Sequence, residues 1–482
     1  MTDLSPTLTG ALSAEYLGDP TKRLIGSILN KTFIDTVTVD PNVQVERTFK
    51  FRLDPHVLPV NNQQNSGRCW IFSFTNMIRR KLIKYYKLDP SFNLSTKFIL
   101  FWDRLEKINA LLEVMYFMGV QKGKYADSLE MISLRNGYLS DGGTWAFFVN
   151  IVSKYGIVPY EAYPDNAQSG NTGDLSSIIE QFVDAHGTAI RNVTSRNDFE
   201  VLKAKAIHAC FNTLAGFLGV PPKEVLWKYA DNKGTLHEPQ KSPCAPIEFY
   251  KRFVRRVVNV NDYVVLINDP RHPYDRLYSV ELVHNVLPNA INDPAIILEN
   301  NVVDISLDRI ATNIYFNVPT STMRESVLRS IRANMPVPFA ADVSRYMRSR
   351  DSRLDTDVHY EDILGFTLTN SRKTLYENQM SGPNHAMLFV GCNGRENPSY
   401  EVENSWGVNN TQFPYLSMTD DWFENFVGEI MIHKRLLPHK THRRYNSLLK
   451  KAVFTWYPFW DVLGNLANCD GCKKEKTCTM DK

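Results

Sequence analysis

Apolar residues first recur at strong helical spacing just after Cys69, where Ile71, Phe74, Ile78 and Leu82 step by three, four and four along one helical face. Basic residues, among them Arg79, Arg80 and Lys84, crowd the second half of this helix, as suits a C-terminus. A second helix is predicted from about Thr96 to Met118 on Phe98, Trp102, Leu105, Ile108 and Leu112, with Ser95 as its cap. A third starts at Thr144 and stops at Gly156, where glycine tolerates the left-handed region. Residues 1–50 read as short mixed segments, and 165–260 stay helical, with Phe199, Leu202, Ile207, Cys210, Phe211 and Leu214 in period. Strand-like runs follow at Tyr263–Asn268, Leu277–Val283, Pro336–Val343, Ala386–Cys392, Tyr400–Glu403 and Glu429–His433. They are interrupted by a helix at 322–333 that opens on a capping-box pattern, Thr322 with Glu325. A helical half before a β-rich half predicts an α+β fold rather than a doubly wound parallel sheet.

Composition narrows the function classes. The chain has 482 residues, 43% of them hydrophobic and 22% charged, which is globular composition. Its 55 Lys and Arg against 52 Asp and Glu leave a formal charge of +3, so it is no bulk polycation. At ~150 residues per domain, the length gives a prior of about three domains, or one enlarged by insertions. No apolar run approaches the ~18 residues of a membrane span. The first twenty residues have neither a basic region nor a continuous apolar core, so a cytoplasmic protein is expected. Seven cysteines are too few and too scattered for a disulfide framework: Cys69, Cys210, Cys244 and Cys392 lie in the body, whereas Cys469, Cys472 and Cys478 crowd the end.

The chemistry concentrates in QQNSGRCWIFS at 63–73. A cysteine where a turn runs into a helix sits at the positive end of the helix dipole, which favours the nucleophilic thiolate. Gln63 lies on the loop that folds back beside it, so its amide and the Cys69 backbone N–H form a candidate oxyanion hole. A thiolate needs an imidazole to pair with it and protonate a leaving amine, and the imidazole needs an acceptor to orient it. GPNHAMLFVG places His385 at the mouth of a strand, and YEVENSWG places Asn404 at the end of another, with Trp406 to shield the pair from water. Of the eleven histidines, His359 is a distant second choice for the base.

The strings SGRCWIFS, DGGTWAFFVNIVSKYG at 141–156, the His385 strand and ENSWG at 403–407 resemble the papain-like cysteine peptidases. FWDRLEK at 101–107, INDPR at 267–271 and MTDDWFENFV at 418–427 resemble the bleomycin hydrolase branch of them. The resemblance implies a two-lobed peptidase with Cys69 as nucleophile, His385 as general acid/base, Asn404 as orienting residue and Gln63 as oxyanion donor. It also implies that Gly142 and Gly143 line the substrate cleft, and Asn384 is expected at its edge. Cys69 and His385 are 316 residues apart, against ~130–150 in secreted relatives, which leaves about 170 residues for insertions. The expected division is an N-terminal segment (1–60), a helical lobe with the nucleophile (61–160), a mainly helical insertion with a hook-like projection (161–330) and a β-rich lobe with His385 and Asn404 (331–435). A C-terminal arm (436–467) and a Cys/Lys-rich tail (468–482) follow. By resemblance the protein is an aminopeptidase, assembled as a homo-hexamer, because its own arm, ending near Ala467, blocks the far subsites. No cofactor or metal is implied.

The chain runs fifteen residues past Ala467. Three readings of the tail stay open: self-trimming near Ala467 by the adjacent thiolate, a metal clip built on Cys469, Cys472 and Cys478, or a polar tail with redox-sensitive thiols. The stretch 434–451 carries seven Lys and Arg and no acid, which reads either as a solvated face or as a weak nucleic-acid contact. The principal expectation is removal of N-terminal residues from peptides. The alternatives are a broader peptidase, should the arm be displaced, and a nucleic-acid-binding hexameric ring with secondary peptidase activity.

Overall fold

The structure is a computed structural model that describes residues 4–38, 44–122, 138–280, 313–348, 351–358, 360–365, 371–396, 398–408, 413–451, 455–457 and 461–462. The helix that opens on Cys69 spans Cys69–Tyr86, with all but its last turn buried. Behind it packs the long helix Thr96–Lys122, whose Phe98 N–H donates to the Ser95 hydroxyl as the sequence predicts. The helix Trp145–Tyr155 is capped by Thr144 and ends at Gly156 with φ +83°. Helices Gly173–Arg191 and Arg196–Leu218 cover the outer side of Thr96–Lys122 and bury Leu175, Ile179, Val183, Phe199 and Leu214 against it.

The second half forms one twelve-stranded mixed sheet among the described residues. In spatial order its strands are Thr455–Tyr457, Arg276–Val280, Asn313–Asn317, Tyr263–Ile267, Val427–His433, Val337–Ala341, His385–Cys392, Ser399–Glu403, Leu416–Thr419, Arg353–Leu354 and Met347–Arg348, with Phe51–Arg52 beside His385–Cys392. Central strands 263–267, 337–341, 385–392 and 399–403 are buried at every position; the first two read as continuous apolar runs, whereas 399–403 buries Glu401 and Glu403.

Several elements depart from the sequence reading. Residues 6–18 and 20–29, expected as short mixed segments, are helices without a single buried residue; the first has scarcely any apolar face, and the second confines its apolar stripe of Leu24, Ile25 and Ile28 to ten residues. The helix expected at 322–333 starts earlier, at Thr320 after Pro319; Thr322 is therefore inside its first turn and makes no cap. Strands 313–317 and 416–419 lie outside the strand-like runs of the sequence: the first is bracketed by Asn313 and Asn317, and the second has only four residues. Strands 263–267, 276–280 and 313–317 fall inside the stretch 161–330 expected as insertion, yet all three join the catalytic sheet. Arg79 and Arg80, read from the sequence as basic residues suited to a helix C-terminus, are buried. Arg80 forks onto Glu403 at 2.6–2.7 Å and reaches the Tyr415 hydroxyl, while Arg79 donates to Asn93 and to the Pro59 carbonyl. Stretch 439–451 is an amphipathic helix that buries Leu448 and packs Tyr445 on Phe316, leaving Lys440, Arg443 and Lys450 exposed. Among the described residues no helix is long and apolar enough to cross a membrane.

Glu429 lies in the middle of strand 427–433, opposite Ile267 and Ala340, and is fully buried. Burial pushes its carboxyl up to about 8. The folded chain therefore holds this proton more tightly than the unfolded chain does. That contribution to stability is complete below pH 4.5, the ordinary value, and is lost as pH rises toward 8. Glu429→Gln removes the ionisable group at constant shape. Denaturant unfolding at pH 4.5 and pH 8 should show the variant gaining on the wild type by on the order of 4 kcal/mol across that interval; a constant difference would show that Glu429 does not carry the proton.

Candidate active site

Loop 61–68 delivers Cys69 to the start of its helix. Asn62 bridges Trp406 in antiparallel fashion, the Gln63 N–H donates to the Ser405 carbonyl at 2.7 Å, and the Gly407 N–H donates to the Asn61 carbonyl at 3.0 Å. Gly407 has φ +67°, and a Cβ there would lie 3.0 Å from the Asn62 amide, so this crossing requires glycine. One turn beyond Cys69, the Ser73 hydroxyl donates to the Met387 carbonyl at 2.6 Å, two residues after His385. The start of the nucleophile helix and the start of the histidine strand are thereby held side by side. Cys69, His385 and Asn404 are each no more than 5% exposed.

His385 Nε2 lies 2.8 Å from Asn404 Oδ1, which also accepts from the Ser405 N–H at 2.7 Å. A backbone N–H can only donate, so the amide orientation is fixed, and Nε2 must carry the proton it donates to Asn404. Nδ1 remains as the ring nitrogen for proton exchange with the thiol. The Trp406 ring lies over His385 at 4.7 Å between centroids, with 38° between the planes. Burial pulls the His385 pKa down to about 4, opposed by the Asn404 hydrogen bond. At this depth the imidazole by itself is neutral at pH 7.

Gln63 is buried with both ends of its amide engaged. Nε2 donates to the Ser66 carbonyl at 2.7 Å, and Oε1 accepts from the Ser405 hydroxyl at 2.7 Å. The Gly67 N–H donates to Asp141 at 3.1 Å, and the Trp70 indole donates to the Asp141 carbonyl at 2.8 Å. Gly143 has a packing reason to be glycine: a Cβ there would sit 2.4 Å from the Trp70 ring. The Gly142 carbonyl accepts from Lys107, a buried ammonium paired with buried Asp103 at 2.9 Å. Asn384 spends its side chain on the chain itself, accepting from the Val343 N–H at 2.9 Å and donating to Asp342 at 2.8 Å, where it stiffens the approach to His385. Ala467, His359 and the three tail cysteines lie outside the described residues.

The other cysteines have a different character. Cys210 and Cys392 are buried free thiols whose pKa values burial pushes up to about 12, and burial raises Cys244 as well. They stay protonated and unreactive. Residues that sequence reasoning passed over are the supports: Ser405, Asp141, and Arg68 with its partner Asp165. A charged residue placed directly before a cysteine that buries itself was the available signal for the last pair. Among the described residues no group of acidic, histidine and cysteine side chains is arranged to hold a metal.

The chain matches the model of the Peptidase C1-like family over residues 3–312 and 298–464. It is 28% identical over 425 residues to mouse bleomycin hydrolase, covering 85% of this chain and 86% of that one. It is likewise 28% identical over 447 residues to aminopeptidase C of Lactobacillus delbrueckii subsp. lactis, covering 91% and 92%. Among solved structures, PepW from Lactobacillus rhamnosis HN001 superposes with a TM-score of 0.84 at 25% identity, covering 96% of this chain and 99% of that one. The family-model match spans most of the chain, and the chain belongs to the Peptidase C1-like family as a papain-like cysteine peptidase.

Proposed function

We propose that this peptidase is an aminopeptidase that removes N-terminal residues from peptides through an acyl-enzyme on Cys69. Cys69 passes its proton to His385 Nδ1 and attacks the first peptide carbonyl through Sγ. The oxyanion takes hydrogen bonds from Gln63 Nε2 and the Cys69 backbone N–H, and His385 returns the proton to the leaving amine. A water, deprotonated by the same imidazole, then hydrolyses the thioester. The observation that carries this reading is the 2.8 Å bond between His385 Nε2 and Asn404 Oδ1, which leaves Nδ1 as the working nitrogen.

The restriction to one residue rests on the resemblance to the bleomycin hydrolase branch and on the name of the Lactobacillus relative. A local contact supports it: Asp461 is held by both Nη atoms of Arg271 at 2.9 and 3.1 Å, and Arg271 also pairs with Asp269 at 2.7 Å. Arg271 further approaches the Tyr376 carbonyl at 3.5 Å, on the segment that leads to His385. The arm is anchored there at Asp461. Gly142, Gly143 and Asn384 are the proposed border of the substrate cleft. A homo-hexameric, cytoplasmic enzyme completes the proposal. The nucleic-acid ring is the weaker reading, since the relatives carry peptidase names.

Free aminoacyl-coumarin amides should be cleaved at least ~100-fold faster than their N-acetylated counterparts, and Cys69→Ala should lose at least ~10³-fold in kcat. Equal cleavage of blocked substrates would refute the aminopeptidase register, and activity surviving in Cys69→Ala would remove it as nucleophile. Asn404→Ala frees the His385 ring, and kcat should fall on the order of 10²-fold with KM little changed. Steady-state kinetics on the same substrate checks this, and an unchanged kcat would show that Asn404 does not orient the base.

A further inference from the structure

Arg68, the residue directly before the nucleophile, is 1% exposed, although nothing in the peptidase mechanism uses it. Its position is electrostatically unfavourable twice over. It is the N-cap residue of the nucleophile helix, so its cation faces the positive end of the dipole, and a buried guanidinium must be desolvated. The polar contacts that offset this run to the oxyanion loop, to Asp165 and to Thr96. Arg68 Nε donates to the Ser66 hydroxyl at 3.0 Å, and Nη1 donates to Asp165 at 2.7 Å and to the Thr96 hydroxyl at 2.9 Å. The Ser66 hydroxyl in turn donates to the Gln63 carbonyl at 2.5 Å, while the Ser66 carbonyl accepts from Gln63 Nε2.

A chain of hydrogen bonds thus runs from Asp165 through Arg68 and the Ser66 hydroxyl to the main-chain carbonyl of Gln63, while the Ser66 carbonyl takes the Gln63 side-chain amide, whose other end is fixed by Ser405. The same region is tied to the loop a second time: the Asn65 N–H donates to the Gly170 carbonyl at 2.9 Å and the Thr172 N–H to the Asn65 carbonyl at 3.3 Å. The Ser66 carbonyl can only accept, so it dictates that the amide nitrogen of Gln63, not its oxygen, is turned toward it. One Nε2 hydrogen is spent on Ser66. The other has no acceptor among the described residues and is the one an oxyanion takes.

We propose that Arg68, set by Asp165, is a positioning residue for the oxyanion donor: it holds Ser66, and through Ser66 the amide of Gln63, in the geometry that the tetrahedral intermediate needs. The proposal rests on the reading of Cys69 and Gln63 above. It assigns the segment 165–172 a part in catalysis, as the outer wall of the oxyanion loop. It also separates two effects that a cation beside a cysteine can have, holding the oxyanion donor or stabilising the thiolate. Because the oxyanion forms only in the transition state, loss of its alignment lowers kcat and leaves KM nearly unchanged.

The test compares wild type with Arg68→Ala, Arg68→Lys and Ser66→Ala, measuring kcat and KM on an aminoacyl-coumarin amide and the pH profile of Cys69 alkylation by iodoacetamide. Arg68→Ala and Ser66→Ala should each lower kcat about 10–100-fold with KM within about threefold, while the alkylation profile stays in place. Arg68→Lys should recover only part of the loss, since an ammonium reaches Asp165 without the fork that also holds Ser66. Should Arg68→Ala fail to fold, Ser66→Ala and Arg68→Lys decide the matter alone. Unchanged kcat in these variants would overturn the proposal, as would a loss that follows an upward shift of the alkylation profile, which would make Arg68 a thiolate stabiliser. Labelling of Cys69 that left turnover of the wild type intact would instead refute the nucleophile reading itself.

Discussion

The site depends on a seam only three residues long. Asn61, Asn62 and Gln63 lie antiparallel to Ser405, Trp406 and Gly407, joined by main-chain hydrogen bonds of 2.7 and 3.0 Å and by the Ser405 hydroxyl on the Gln63 amide. On one side of the seam the chain turns directly into the nucleophile. On the other it has just left Asn404. Groups more than 300 residues apart in sequence are therefore positioned by rigid backbone rather than by side-chain reach, which is the condition for holding catalytic geometry to a fraction of an ångström.

Beneath the seam the protein tolerates unusual buried charge. Arg80 with Glu403, Lys107 with Asp103 and Arg68 with Asp165 are ion pairs in which at least one member is almost fully buried. Replacing such pairs by apolar residues is often neutral or stabilising, so stability alone does not explain them. Their placement does: Glu403 precedes Asn404, Lys107 holds the carbonyls of Ser140 and Gly142, and Arg68 precedes Cys69. Each fixes a main-chain segment adjoining the catalytic groups, where directional polar contacts determine geometry better than dispersion can.

The helices at 69, 96 and 145 were legible because each sets one apolar stripe against a core and carries its own stop or cap. Buried strands were legible where long and β-branched, as at 263–267, and invisible where short, as at 416–419. The helix at 6–18 has scarcely any apolar stripe to read, and that at 20–29 confines its stripe to ten residues. Cys69, His385, Asn404 and Gln63 stood out from local strings whose chemistry is self-explanatory. The burial of Arg68, Arg79 and Arg80 did not, because a cation's partner is a matter of tertiary structure: Glu403 lies 323 residues from Arg80. Glycine at 143 illustrates the same limit, since the Trp70 ring that excludes a side chain there is distant in sequence.

The central claim is that Gln63 and Cys69 form one site for a tetrahedral intermediate, with His385 Nδ1 beside it. A crystal structure of the protein treated with an aminoacyl aldehyde addresses this directly, because a hemithioacetal has the geometry of that intermediate. The account predicts a bond from Cys69 Sγ to the aldehyde carbon, with the new oxygen roughly 2.7–3.1 Å from both Gln63 Nε2 and the Cys69 backbone nitrogen. An adduct on another cysteine, or an oxygen turned away from Gln63, would contradict it.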